Sequence, residues 1–165
     1  MKKNNIVLVG MMGCGKTTIS KLLGKRLRKN VVDLDEYLVN KYGMTIPEMF
    51  SISEEYFRNK ESECCKDISK LEDMIVSTGG GVILRQENIK YLKKNGIIIY
   101  IDRPIHHILK DVDISSRPLL KDGPNKLYEL YHQRHELYLQ ASDYHIFNDG
   151  TLDKVVEEIL KRIDE

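Results

Sequence analysis

Residues 10–18 read GMMGCGKTT and directly follow the apolar run Ile6-Val7-Leu8-Val9. The stretch fits G-x-x-x-x-G-K-[ST], a loop whose glycines let backbone N–H groups wrap phosphate oxygens at a helix N-terminus, where negative charge is favoured. Lys16 is placed to reach the outer phosphates and the Thr17 hydroxyl to ligate Mg²⁺. Ile19, Leu22, Leu23 and Leu27 then recur at helical spacing, so a strand enters the loop and a helix leaves it. That context separates a phosphate-binding loop from a glycine-rich turn that merely starts a helix. The expected ligand is a nucleoside triphosphate. The acceptor of its phosphate stays open at this point.

The alternation continues along the chain. Val31–Leu34, Met74–Ser77, Ile97–Ile101 and Tyr144–Phe147 are short apolar runs, and helically spaced segments lie between and after them, such as Leu152, Val155, Val156, Ile159, Leu160 and Ile163. Apolar strands joined by helical crossovers predict an α/β fold with a parallel sheet covered on both faces, whose ligands sit beyond the strands' carboxyl ends. A chain of 165 residues with 41% hydrophobic content supports one core, hence a single domain over residues 1–165. Lys and Arg (26) nearly cancel Asp and Glu (25), so no global field recruits nucleic acid or an anionic membrane, and small-molecule partners are expected. No run approaches the ~20 apolar residues of a membrane span, and MKKNN leads into a run too short for a secretory signal. Three cysteines, an odd number without metal spacing, fit reduced thiols and a cytoplasmic location. Near-zero net charge leaves a monomer as the default. Asp111–Gly123 (DVDISSRPLLKDG) is polar, broken by Arg117-Pro118, and predicts a mobile lid.

Five further clusters carry chemistry. Asp33-Leu34-Asp35 ends the second run, where alternation puts both carboxylates on one side, one for a metal and one for a proton; the bland alternative is that Asp35 caps a helix starting at Glu36. On a helix expected over about Ser53–Leu71, Glu61 falls in an otherwise apolar stripe one turn from Arg58. It can hold the arginine's planar fork towards a substrate carboxylate, or the two form a surface ion pair. Thr78-Gly79-Gly80-Gly81 permits positive φ and removes every Cβ, which suits a ligand-facing loop more than a plain turn. Arg134 lies in the core stripe of a helix starting at Pro124, with Leu127, Leu130, Tyr131, Leu137, Tyr138 and Ala141. It requires either an internal acid such as Glu129 or Asp143 or a ligand anion. Arg117 in the lid can swing over a transferring phosphoryl group, although a loop arginine alone is usually just solvated. His106, His107, His132, His135 and His145 lack mutual metal spacing, and Cys64-Cys65 fits helix packing. Cys14, beside the phosphate loop, is a candidate reactive thiol without a catalytic role.

GMMGCGKTT, DLD, FRNKE, TGGG, RPLL and RHELY, in this order over nearly the whole chain, resemble the shikimate kinase family. The resemblance implies a three-layer P-loop kinase fold with a five-stranded parallel sheet of order 2-3-1-4-5, a substrate-binding segment at about 33–61 and a lid at about 111–123. It also implies the reaction of ATP with shikimate to give ADP and shikimate 3-phosphate, in chorismate and aromatic amino acid biosynthesis. By motif, Gly13 to Thr18 would bind the ATP phosphates, Thr17 the Mg²⁺, and Asp33 that ion through water. Asp35 would bind the shikimate hydroxyls and act as general base, while Arg58 and Arg134 would clasp its carboxylate. Gly79, Gly80 and Gly81 would offer backbone contacts and Arg117 would close over the phosphates, with Lys16 and Arg117 joining Asp35 in catalysis. Two departures stand out. Ser53-Glu54 replaces the family's Gly-Glu in a segment one residue shorter between Phe50 and Arg58, and Lys110 stands near the place of an arginine that stacks on adenine. The alternatives are another small P-loop kinase, of gluconate or a nucleoside monophosphate, and a catalytically inactive nucleotide-binding module; the triple glycine and DLD argue against gluconate.

Overall fold

The computed structural model describes residues 3–111 and 123–164. Strand β1 (Asn5–Val9) runs into the glycine loop and helix α1 (Lys16–Leu27); β2 (Asn30–Asp33) is followed by α2 (Leu34–Tyr42), α3 (Ile46–Ile52) and α4 (Glu54–Ile68). Then come β3 (Met74–Ser77), a short 3₁₀ turn at Val82–Leu84, α5 (Gln86–Lys94), β4 (Gly96–Asp102) and α6 (Ile105–Asp111). Helix α7 (Asn125–Ala141), β5 (Tyr144–Phe147) and α8 (Leu152–Ile163) complete the chain. The five strands pair in parallel in the order β2-β3-β1-β4-β5, as expected.

The period of two along β1 explains why the sheet is covered on both sides. Val7 and Val9 face one core with Leu34, Leu38, Phe57, Tyr100 and Tyr138, beneath α2, α4 and α7. Ile6 and Leu8 face a second core with Ile19, Leu23, Ile99, Val155 and Ile159, beneath α1 and α8. The inner strands β1, β3 and β4 therefore read as near-continuous apolar runs because both of their faces are dry, whereas the edge strands β2 and β5 keep exposed residues such as Val31 and Phe147.

Element boundaries differ from the sequence expectation where caps decide them. The second strand stops at Asp33, whose Oδ1 accepts the Glu36 amide at 3.1 Å; Leu34 already belongs to α2 and is fully buried. Asp33, not Asp35, is thus the cap, and Asp35 sits in the first helical turn rather than on the strand. Ser53 closes α3 and opens α4, its hydroxyl accepting the Tyr56 amide at 2.9 Å. One extended residue accordingly separates the two helices of the substrate segment. Helix α4 ends at Ile68, short of Leu71. Among the described residues, no helix is long and apolar enough to cross a membrane.

Candidate active site

The loop between β1 and α1 needs its glycines. Gly10, Gly13 and Gly15 adopt φ of 150°, 76° and 104°, a region that side chains avoid. Lys16 is buried, and its Nζ donates to the Gly10 and Met11 carbonyls at 2.6 and 2.9 Å, so the ammonium is fixed over the loop. It borders a cleft of about 320 Å³ that is also lined by Gly13, Gly15, Thr17, Thr18, Asp33 and Asp35. The Thr17 hydroxyl lies 3.4 Å from Asp33 Oδ2, which puts two hard oxygen donors side by side at the cleft floor. Cys14 does not present the accessible thiol expected of it. Its side chain is fully buried in the core with Ile19 and Ile101, its Sγ accepting from Lys16 Nζ at 3.6 Å, and its carbonyl accepts Asn148 Nδ2 at 2.8 Å.

A second cleft opens from the first. Asp35, Gly79, Gly80 and Met12 line both, and beyond them the walls are Ile46, Phe50, Phe57, Arg58, Glu61, Gly81 and Arg134. Arg58 and Glu61 are not a surface pair. Arg58 is 6% and Glu61 0% exposed, and Arg58 Nη1 donates to Glu61 Oε1 at 2.8 Å. The guanidinium also lies over the Phe57 ring at 4.9 Å from its centroid, with Phe50 stacked on Phe57. Aromatic faces, Glu61 and the outer carboxylate of Glu54, 3.6 Å from Nη2, together hold the fork in a single orientation. Burial raises the Glu61 pKa above the usual carboxylate value, opposed by the positive charge and hydrogen bond of Arg58.

Arg134 enters this cleft from α7, 4% exposed. Neither acid considered for it is its partner: Asp143 Oδ2 accepts the Ile98 amide at 2.8 Å, and Glu129 lies 3.7 Å from Lys126. Buried Arg134 Nη1, Arg58 Nε and Glu61 Oε2 have no hydrogen-bond partner among the described residues. Leaving a buried charged donor unpaired costs several kcal/mol, roughly 3–5 when a buried pair is broken, so such donors persist where a ligand completes them.

The three glycines after β3 earn their place by packing. None of Gly79, Gly80 and Gly81 has positive φ, so conformational freedom is not what they supply. A Cβ on Gly81 would lie 2.5 Å from Arg58 Cζ, and one on Gly79 would lie 3.1 Å from Asp35 Oδ1. The loop is bare chiefly so that the protein's own arginine and aspartate can approach its backbone. Tyr138, on α7, donates its hydroxyl to the Gly80 carbonyl and ties the loop to the helix that carries Arg134.

The candidate residues Gly13, Gly15, Lys16, Thr17, Thr18, Asp33, Asp35, Arg58, Gly79, Gly80, Gly81 and Arg134 therefore gather along two joined clefts. Arg117 lies outside the described residues, as does nearly all of the expected lid. Arg103, also at the phosphate cleft, is not among those candidates, although it follows strand β4 directly and the strand-end rule points to it. The stacking of Phe50 and Phe57 on Arg58 was likewise illegible before packing was known.

The sequence profile of the family described as Shikimate kinase matches residues 12–164. The chain belongs to the shikimate kinase family. Shikimate kinase from Clostridium botulinum (strain Alaska E43 / Type E3) is 46% identical over 161 residues, covering 98% of this chain and 98% of the relative. The Clostridium beijerinckii shikimate kinase is 48% identical over 157 residues, covering 95% and 93%. Among solved structures, shikimate kinase from Acinetobacter baumannii in complex with shikimate superposes with a TM-score of 0.91 at 33% identity, covering 97% of this chain and 92% of that one. Membership of the shikimate kinase family makes the chain an enzyme of the small-molecule kinase class, and its fold is the one expected from the motifs.

Proposed function

We propose that the chain transfers the γ-phosphoryl group of ATP to the 3-hydroxyl of shikimate, with Asp35 as general base. The observation that carries this is the position of Asp35 at the junction of the two clefts. On one side lie Lys16 and the glycine loop; on the other, Arg58 and Arg134 with buried donors unpaired. A carboxylate arriving between the arginines would receive those donors, and the attached ring would bring a hydroxyl to Asp35. In the step itself the hydroxyl oxygen bonds to the γ-phosphorus, the bond from that phosphorus to the β,γ-bridging oxygen breaks, ADP departs, and the hydroxyl proton passes to the Asp35 carboxylate. Lys16 offsets charge on the phosphates, and the paired carbonyls beneath it keep it aimed.

The Thr17 hydroxyl and the Asp33 carboxylate suit Mg²⁺, which takes few protein ligands and fills its shell with phosphate oxygens and water. Bound there, the ion supplies charge neutralisation of the phosphates. We assign Asp111–Gly123 the role of lid and Arg117 that of closing over the phosphates, with the substrate segment at about 33–61, all within one domain. We keep the reading of a monomer acting on small molecules; the free, buried cysteines are in keeping with a cytoplasmic site.

Coupled ADP release, with shikimate, gluconate and AMP offered in turn, tests the assignment. Turnover with shikimate is expected; turnover only with gluconate or AMP would overturn it, and silence with all three would leave a nucleotide-binding module. Asp35→Asn should keep ATP binding while lowering kcat about 10²–10⁴-fold. Unchanged turnover would reduce Asp35 to a helix residue.

A further inference from the structure

Arg103 is the first residue after β4, and nothing in the proposed reaction yet uses it. Its side chain is 22% exposed, its Nη1 donates to the Gly13 carbonyl of the phosphate loop at 2.9 Å, and its Nη2 pairs with the Asp111 carboxylate at the end of α6. It borders the phosphate cleft and also a neighbouring cleft lined by His107, Asn148, Gly150 and Leu152. Gly15, Thr18 and Arg103 are the residues common to both. A nucleotide whose outer phosphates lie over Lys16 and whose remainder extends into the neighbouring cleft has to pass this guanidinium.

Charge counting points the same way. The phosphate cleft is lined by two cations, Lys16 and Arg103, and two anions, Asp33 and Asp35, so it is neutral as built. Remove Arg103 and it becomes net negative, hostile to a triphosphate that keeps excess negative charge even with one divalent cation bound. The pair with Asp111 does not by itself explain the placement. Asp111 is 62% exposed, and an ion pair with so wet a partner is worth ~0–1 kcal/mol. The bond to the Gly13 carbonyl instead holds the fork beside the loop, as the Gly10 and Met11 carbonyls hold Lys16.

We propose that Arg103 is a nucleotide-binding residue, donating from its guanidinium to the phosphate chain where the two clefts meet, and that Asp111 is the counter-ion with which the nucleotide competes. This rests on the kinase assignment of the first cleft, so the test carries a control for it. In the full-length protein, ADP and ATP binding is measured by calorimetry without shikimate, beside both KM values and the melting temperature, for Arg103→Ala, Arg103→Lys, Asp111→Asn and Lys16→Ala.

Arg103→Ala should weaken ADP binding and raise the ATP KM about tenfold or more, as for a lost charge-assisted hydrogen bond, with the shikimate KM within about twofold. Arg103→Lys, which keeps the charge but not the fork, should fall between, and serves if the alanine variant folds poorly. Asp111→Asn should tighten nucleotide binding, because the competing carboxylate is gone; unchanged binding would overturn the role given to Asp111. If Lys16→Ala weakens nucleotide binding and Arg103→Ala does not, the role of Arg103 is refuted while the phosphate cleft stands. If Lys16→Ala also has no effect, the cleft assignment itself fails, and this proposal with it. Equal rises in both KM values with a lowered melting temperature, or weakening by Asp111→Asn as large as by Arg103→Ala, would make the pair a structural tether and overturn the proposal.

Discussion

Gly81→Ala isolates the orientation of Arg58 without touching its charge. The backbone at Gly81 has φ −98° and ψ 11°, which alanine can adopt, so the added methyl acts by volume alone. That methyl would stand 2.5 Å from Arg58 Cζ, whereas carbon contacts settle at ~3.5–4.0 Å. The guanidinium has to retreat by roughly 1 Å or more, the difference between those separations. It cannot retreat freely, because Phe57 covers one face and Glu61 holds Nη1. A misplacement of about 1 Å in a substrate-positioning group costs about 10²-fold in catalytic efficiency, or roughly 2.7 kcal/mol. The loss should appear in the shikimate KM, read by coupled ADP release at saturating ATP, with the ATP KM within about twofold. Overpacking should also lower stability by about 1–3 kcal/mol, measured by urea unfolding. A folded Gly81→Ala protein whose shikimate KM stays within about twofold of the parent would refute the packing argument, as would parallel rises in both KM values.

Other outcomes follow from the same geometry. Arg134→Met, similar in length but uncharged, should raise the shikimate KM about tenfold or more and also raise the melting temperature in the absence of substrate, since it removes a buried donor with an unpaired Nη1; a lowered melting temperature would show that Arg134 braces the fold. Glu61 has its pKa raised by burial, so near and above the ordinary carboxyl value the folded protein keeps a proton that the unfolded chain releases. Stability from this group is therefore greatest at low pH and falls as pH rises from the unfolded-state value to the raised one; melting temperatures across pH should show Glu61→Gln lacking that slope. Asp33→Asn removes the carboxylate proposed for Mg²⁺ while keeping an oxygen that can cap α2. It should raise the Mg²⁺ concentration needed for half-maximal turnover and leave the denaturant midpoint nearly unchanged, since asparagine caps about as well as aspartate; an unchanged Mg²⁺ requirement would confine Asp33 to capping.

The parts of the site that follow from local rules were legible early. GMMGCGKTT declares itself because glycine, lysine and threonine at those offsets answer to backbone geometry and phosphate chemistry within nine residues. Glu61 and Arg134 could be flagged as polar residues on apolar helical stripes, since a period of 3.6 is visible without a partner. Whether each was a solvated pair, an internal pair or a ligand contact was not visible, because those outcomes differ only in what lies opposite. The triple glycine shows the same division: the absence of side chains is written in the chain, but the reason, room for Arg58 and Asp35, comes from residues on α4 and α2.

By itself, then, the amino-acid order determined the alternation of strand and helix, the phosphate loop and the residue types able to bind a hydroxylated carboxylate. These depend on periodicity and on contacts close in sequence. Tertiary structure alone decided that Asp33 rather than Asp35 caps α2, that Asp35 stands where two clefts meet, that Arg134 has an unpaired buried donor and that Arg103 leans on the phosphate loop. Each of these depends on which groups share a dry volume or a cleft wall, and that is set by how the sheet brings distant strand ends together.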